Sequence, residues 1–173
     1  MIKQEKFGVE ISDLEIPGGR VGFLLIHGLG GTPVELRYVA QGLGRAGHAV
    51  HCPLLYGHGG SEALLNTTTW QDWYGSVEIA LEKVKQRCDI VIVGGLSVGA
   101  VLALHLAARR PDDVQGTVLF SPTLWPNGWA IPWYFNFFKL VHHKWFANLI
   151  HLKECAPYGI KDERIRKFVL DSL

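Results

Sequence analysis

Net charge is what this sequence has least of. Seventeen lysines and arginines face sixteen aspartates and glutamates, a balance of +1 over 173 residues, so no electrostatic pull toward nucleic acid or an anionic membrane surface is expected. Long apolar runs are also missing. None reaches the length of a membrane span, and Met1-Ile2-Lys3-Gln4-Glu5-Lys6 carries charges where a signal peptide needs an apolar core. Cysteine is scarce: Cys52, Cys88 and Cys155 are an odd set without paired spacing. Cys52 and Cys88 lie beside expected strands and read as small buried hydrophobes, which suits a reducing, cytoplasmic setting. No H-E-x-x-H offers a zinc site, no glycine loop ends in Gly-Lys-Ser/Thr, and no G-x-G-x-x-G opens a helix. Nucleotide, metal and other cofactors are therefore not expected.

What is present is apolar and regularly ordered. Hydrophobic residues make up 48% of the chain and charged ones 19%, which excludes disorder and allows one domain with a sizeable core. Phe7 to Leu14 partly alternates and leads into Pro17-Gly18-Gly19, the pattern of a strand before a tight turn. Arg20 to Ile26 is a nearly continuous apolar run, as in a parallel strand covered on both faces. The glycine-rich His27-Gly28-Leu29-Gly30-Gly31 follows, then a helix with Thr32 as N-cap and Pro33 at its first position, ending around Gly44 to Gly47. His48 to Leu54 predicts a strand, Thr67–69 to about Arg87 a helix, Ile90 to Val93 a strand, and Val114 to Phe120 another. Strand and helix alternate from residue 20 to residue 121, so the expected fold is α/β: a mostly parallel sheet between two helical layers. Residues 1–122 form this core. From 123 to 173 the character changes, with four of the six tryptophans between 125 and 146. That density suits either a helical aromatic cap over an apolar pocket or the packed core of an ordinary helical subdomain.

One stretch carries chemistry. Val91-Ile92-Val93 stops at Gly94-Gly95, and Leu96-Ser97-Val98-Gly99 leads into the apolar helix beginning Ala100-Val101-Leu102. Gly95-Leu96-Ser97-Val98-Gly99 fits G-x-S-x-G, a strand-to-helix turn that lifts a serine hydroxyl above the sheet edge. The backbone at such a serine is strained, so positions two before and two after must be small. The competing reading is a glycine-rich turn of a doubly wound fold with no catalytic role.

Together, His27-Gly28-Leu29-Gly30-Gly31 after one strand and Gly95-Leu96-Ser97-Val98-Gly99 after another resemble the α/β-hydrolase family. Pro53-Leu54-Leu55-Tyr56-Gly57-His58-Gly59 and Trp70-Gln71-Asp72-Trp73 narrow the resemblance to its carboxylesterase and monoacylglycerol-lipase-like branch, over residues 20–173. The resemblance implies Ser97 as nucleophile and the backbone N–H groups of Leu29 and Val98 as the oxyanion hole. His27 reads as a hydrogen-bond donor fixing the loop. The family's chain order places an acid and then a histidine after later strands. Here the last recognisable strand ends at Phe120, so the sheet is expected to be cut short and both the acid and the base are unassigned. His142, His143 and His151 fall on expected cap elements and read as surface or packing residues. His58 borders the expected pocket, and His105 lies within the helix after Ser97.

The expected activity is hydrolysis of small carboxylic esters with apolar acyl groups, weak or absent in this short chain and restored by the missing segment. The alternative is a non-catalytic hydrolase-like module that binds an apolar ligand or a partner protein. An unpaired edge at Val114 to Phe120 would then favour a homo-oligomer or pairing with a complementary fragment.

Overall fold

The computed structural model describes residues 12–124 together with the short strands β1 (Glu5–Lys6) and β2 (Val9–Glu10). Two compact units divide the chain, Met1–Trp125 and Pro126–Leu173. The cap expected over 123–173 lies outside the described residues except for Thr123 and Leu124, as do His142, His143, His151 and Cys155.

The sheet has five strands in the order β3-β5-β4-β6-β7. These are β3 (Leu14–Ile16), β4 (Val21–Ile26), β5 (Ala49–Cys52), β6 (Ile90–Leu96) and β7 (Gly116–Phe120). The last four run parallel, as the alternation of strands and helices predicts. β3 lies antiparallel on β5. The single strand expected over Phe7–Leu14 is therefore corrected: β1 and β2 pair with each other, and the strand that joins the main sheet begins at Leu14. It is only three residues long because Pro17, which has no N–H for a ladder, follows at once. Among the described residues β7 pairs only with β6.

Burial explains the apolar run in β4. Leu24 and Ile26 point into a cluster built with Val77 and Leu81 of α3 (Trp70–Lys85) and Leu102 and Leu106 of α4 (Val98–Arg109). Leu25, one residue out of phase, joins Leu36, Val50 and Ala40 of α1 (Arg37–Arg45) on the other face. Both faces of β4 are thus covered, and the sheet lies between two helical layers. Cys52 and Cys88 are buried free thiols, and burial pushes Cys52 up to about 12, which keeps it unreactive.

Capping sets where the helices begin. Thr69 precedes α3, and the Asp72 carboxylate accepts hydrogen bonds from the Thr69 N–H and hydroxyl, each at 2.8 Å. Thr32 stands at its expected N-cap position with Pro33 next, but its side chain makes no cap bond. The first turn, Pro33–Leu36, is 3-10, and α1 follows it. A short helix, α2 (Glu62–Leu65), capped by the Ser61 hydroxyl on the Leu64 N–H at 3.3 Å, closes the loop after β5.

Candidate active site

β4 and β6 are adjacent and in register, with Ile26 opposite Gly95. The loop after β4 and the turn after β6 therefore leave the sheet side by side. A Cβ on Gly28 would stand 3.8 Å from the Ser97 Cβ.

Ser97 links β6 directly to α4 with φ +55° and ψ −116°. That is a left-handed setting which costs a non-glycine residue about 1–3 kcal/mol. Its flanks leave no alternative to glycine. A Cβ on Gly95 would meet the Gly99 carbonyl oxygen at 2.2 Å, and one on Gly99 would meet the Ile26 and His27 carbonyl oxygens at 2.2 and 2.3 Å. The Ser97 N–H is held by the Phe120 carbonyl at 3.0 Å, and its own carbonyl accepts from Ala100 and Val101. The serine is thereby fixed between β7 and the first turn of α4. Its hydroxyl pairs with the Thr123 hydroxyl at 2.9 Å, a partner that no sequence pattern signalled.

The loop after β4 is a tight turn. Gly31 donates to the Gly28 carbonyl at 3.2 Å, and Gly30 takes φ +71°, the left-handed third residue of a type II turn. The His27 ring is fully buried and spans two loops: Nε2 accepts from the Leu55 N–H at 3.1 Å, and Nδ1 lies 2.8 Å from the Gly28 carbonyl. Because Nε2 accepts, Nδ1 carries the proton and donates it. Burial lowers His27 to about 4, against the upward pull of the Gly28 carbonyl, so the ring is neutral near pH 7. The loop-fixing donor expected at His27 is what the geometry contains.

The same bonds aim the next amide. The Gly28 carbonyl and Leu29 N–H belong to one planar trans unit, so pinning the carbonyl turns the N–H to the opposite side. Among the described residues neither the Leu29 nor the Val98 N–H has a hydrogen-bond partner. The Val98 N–H is one of the free amides at the start of α4, where the helix dipole favours negative charge.

His58 and Trp73 extend the packing around His27. His58 is buried, stacks edge-on against His27 at 5.0 Å and Trp73 at 5.3 Å, and places Nδ1 3.3 Å from the Tyr56 carbonyl. Burial lowers its pKa, and among the described residues Nε2 has no hydrogen-bond partner. A cleft of about 250 Å³ runs between Gly30 and the His58–Leu65 loop. His105 packs edge-on against Tyr74 and Trp70 of α3. No described histidine is hydrogen-bonded to Ser97. Among the described residues Asp13, Glu15 and His51 have the spacing of a metal site. Their carboxylates are already engaged: Asp13 by His51, Lys83 and the Leu54 N–H, and Glu15 by Arg87.

Known proteins resemble this chain in sequence and fold. The chain is 45% identical over 94 residues to the thermostable monoacylglycerol lipase of Bacillus sp. (strain H-257), covering 54% of this chain and 38% of the lipase. It is 32% identical over 102 residues to the carboxylesterase of Bacillus subtilis (strain 168), covering 58% and 41%. A solved structure from work on LipS and LipT, two metagenome-derived lipolytic enzymes, superposes with a TM-score of 0.66 at 32% identity, over 68% of this chain and 48% of that one. The chain thus spans less than half the length of each of these relatives. The family model described as serine aminopeptidase, S33, matches residues 20–168. With its parallel sheet, its interleaved helices and this match, the chain belongs to the serine aminopeptidase S33 family of α/β-hydrolases.

Proposed function

We propose that the chain is a serine hydrolase of the carboxylesterase type, acting on small carboxylic esters with apolar acyl groups. One observation carries the reading: the left-handed Ser97 between β6 and α4, flanked by two glycines that no other residue could replace without a clash. Strain of this kind is kept where a hydroxyl must be presented. In the reaction, Ser97 Oγ bonds to the ester carbonyl carbon and the π pair moves onto the carbonyl oxygen. The N–H groups of Leu29 and Val98 receive that charge without reorganising. The proton lost by the Ser97 hydroxyl passes through solvent to the alcohol expelled as the intermediate collapses, and water then adds to the acyl carbon, freeing the acid and returning a proton to Ser97. The ester and lipid substrates named for the relatives support this class.

No base or acid is assigned, so we expect slow turnover from these 173 residues. In a protease triad, loss of the base costs on the order of a million-fold, with residual rate from the oxyanion hole. The Ser97–Thr123 hydroxyl pair supports a second reading, a non-catalytic module that binds an apolar ligand. A fluorophosphonate probe and a short-chain aryl ester separate the two. The enzyme reading expects one probe per chain at Ser97, and ester hydrolysis that Ser97→Ala removes. Equal hydrolysis by the two proteins, with no label at Ser97, would sink it.

A further inference from the structure

Glu35 is a charged side chain seated against the turn that follows β4. Its Oε2 accepts the Gly28 N–H at 3.1 Å. A Cβ on Gly31 would lie 2.3 Å from both carboxylate oxygens, so the carboxylate fills the space a side chain at 31 would need. Thr32-Pro33-Val34-Glu35 has the spacing of a capping box, in which the acid reaches back to the N-cap N–H. Here Glu35 passes over Thr32 and bonds Gly28. A carboxylate beside a turn meant to hold an anion is electrostatically unfavourable, so its presence calls for a compensating role.

We infer that Glu35 is a positioning residue for the oxyanion loop, a conclusion that rests on the esterase reading above. Gly28 is gripped on both sides: His27 Nδ1 donates to its carbonyl and Glu35 accepts its N–H. Two successive peptide planes are thereby fixed, and the second carries the Leu29 N–H. Without Glu35 the Gly28 N–H is freed, the plane can rotate, and two adjacent amides compete for the same oxygen. The hydrogen bond is charge-assisted and one partner lies at a partly buried turn, where such bonds are among the stronger ones.

The test uses the 173-residue chain and an alkyl trifluoromethyl ketone. Ser97 Oγ bonds to the ketone carbon, the carbonyl π pair becomes an alkoxide facing the hole, and the serine proton passes to solvent. Adduct affinity is read by fluorine NMR, and amide hydrogen exchange at Gly28 is followed in parallel. Glu35→Ala is expected to weaken the adduct about tenfold and speed Gly28 exchange about tenfold, the loss of one charge-assisted bond. Binding of the matching methyl ketone, which forms no adduct, should change less than about twofold because it does not use the hole. Glu35→Gln keeps an acceptor and should recover most of the loss. Gly31→Ala, which expels the carboxylate, should resemble Glu35→Ala, and the two together should not add. Unchanged Gly28 exchange in Glu35→Ala, or a Gln variant as weak as Ala, would overturn the inference while leaving Ser97 reactive. Absence of any Ser97 adduct in the unaltered chain would instead remove the esterase reading and the inference with it.

Discussion

Gly99→Ala is the sharpest probe of the serine turn, because the same substitution elsewhere should act in the opposite direction. Gly99 is the second residue of α4, where alanine is ordinarily the better helix former by about 0.8–1 kcal/mol. Its Cβ, however, would lie 2.2 Å from the Ile26 carbonyl oxygen and 2.3 Å from that of His27. Both are backbone atoms at the end of the central strand and cannot swing aside like a side chain. Overpacking of this kind costs about 1–3 kcal/mol, so after the helical gain we expect a net loss of up to about 2 kcal/mol. Gly75, in the middle of α3, meets nothing within 4 Å. Gly75→Ala should therefore stabilise by about 0.5–1 kcal/mol. Urea unfolding monitored by tryptophan fluorescence and circular dichroism would compare the midpoints at equal m-value. Because β4 also carries the turn at Gly28, Gly99→Ala should slow phosphonylation of Ser97 as well. A Gly99→Ala chain as stable as Gly75→Ala, and labelled as fast as the unaltered chain, would refute the steric argument.

Two further outcomes follow from the same geometry. Ser97→Gly removes the cost of φ +55° and should stabilise the chain by about 1 kcal/mol while abolishing labelling; a destabilised Gly variant would show that the hydroxyl's bond to Thr123 outweighs the strain. Burial of Asp13 alone would raise its carboxyl, but His51, the Leu54 N–H and Lys83 together hold it at about 2 against 3.8 unperturbed. A depressed folded value means that Asp13 contributes its stability above about pH 4 and loses it as pH falls toward 2. Asp13→Asn should thus cost roughly 1–2 kcal/mol at pH 7, allowing for solvent screening, and that difference should fade between about pH 4 and pH 2 in acid unfolding curves. A constant difference across that range would assign the loss to packing.

The parts of the fold that depend on burial were legible in the sequence. β4 is a nearly continuous apolar run because helices cover both of its faces, and α3 shows its buried stripe through Val77, Leu81 and Val84. The serine turn was legible because sterics demand glycine at two fixed offsets. What failed were features decided by long-range pairing. β3 joins the sheet antiparallel through three residues, too few to announce a strand by alternation. α2 is a single turn whose only local sign is Ser61. Glu35 was not singled out by the sequence: its spacing from Thr32 is that of a cap, and only the folded turn brings Gly28 within its reach. Thr123 reaches Ser97 across 26 positions after a left-handed Ser121, and a pattern search sees no such contact.

The imidazole at position 27 behaves as a strut rather than a proton carrier, since each nitrogen is committed to a different segment. Remodelling the residues around Leu55 to admit a bulkier ligand would drag on that strut and tilt the amide at Leu29. Selectivity and rate would then shift together in this scaffold, so a variant library aimed at the β5 loop should be screened for turnover number from the outset.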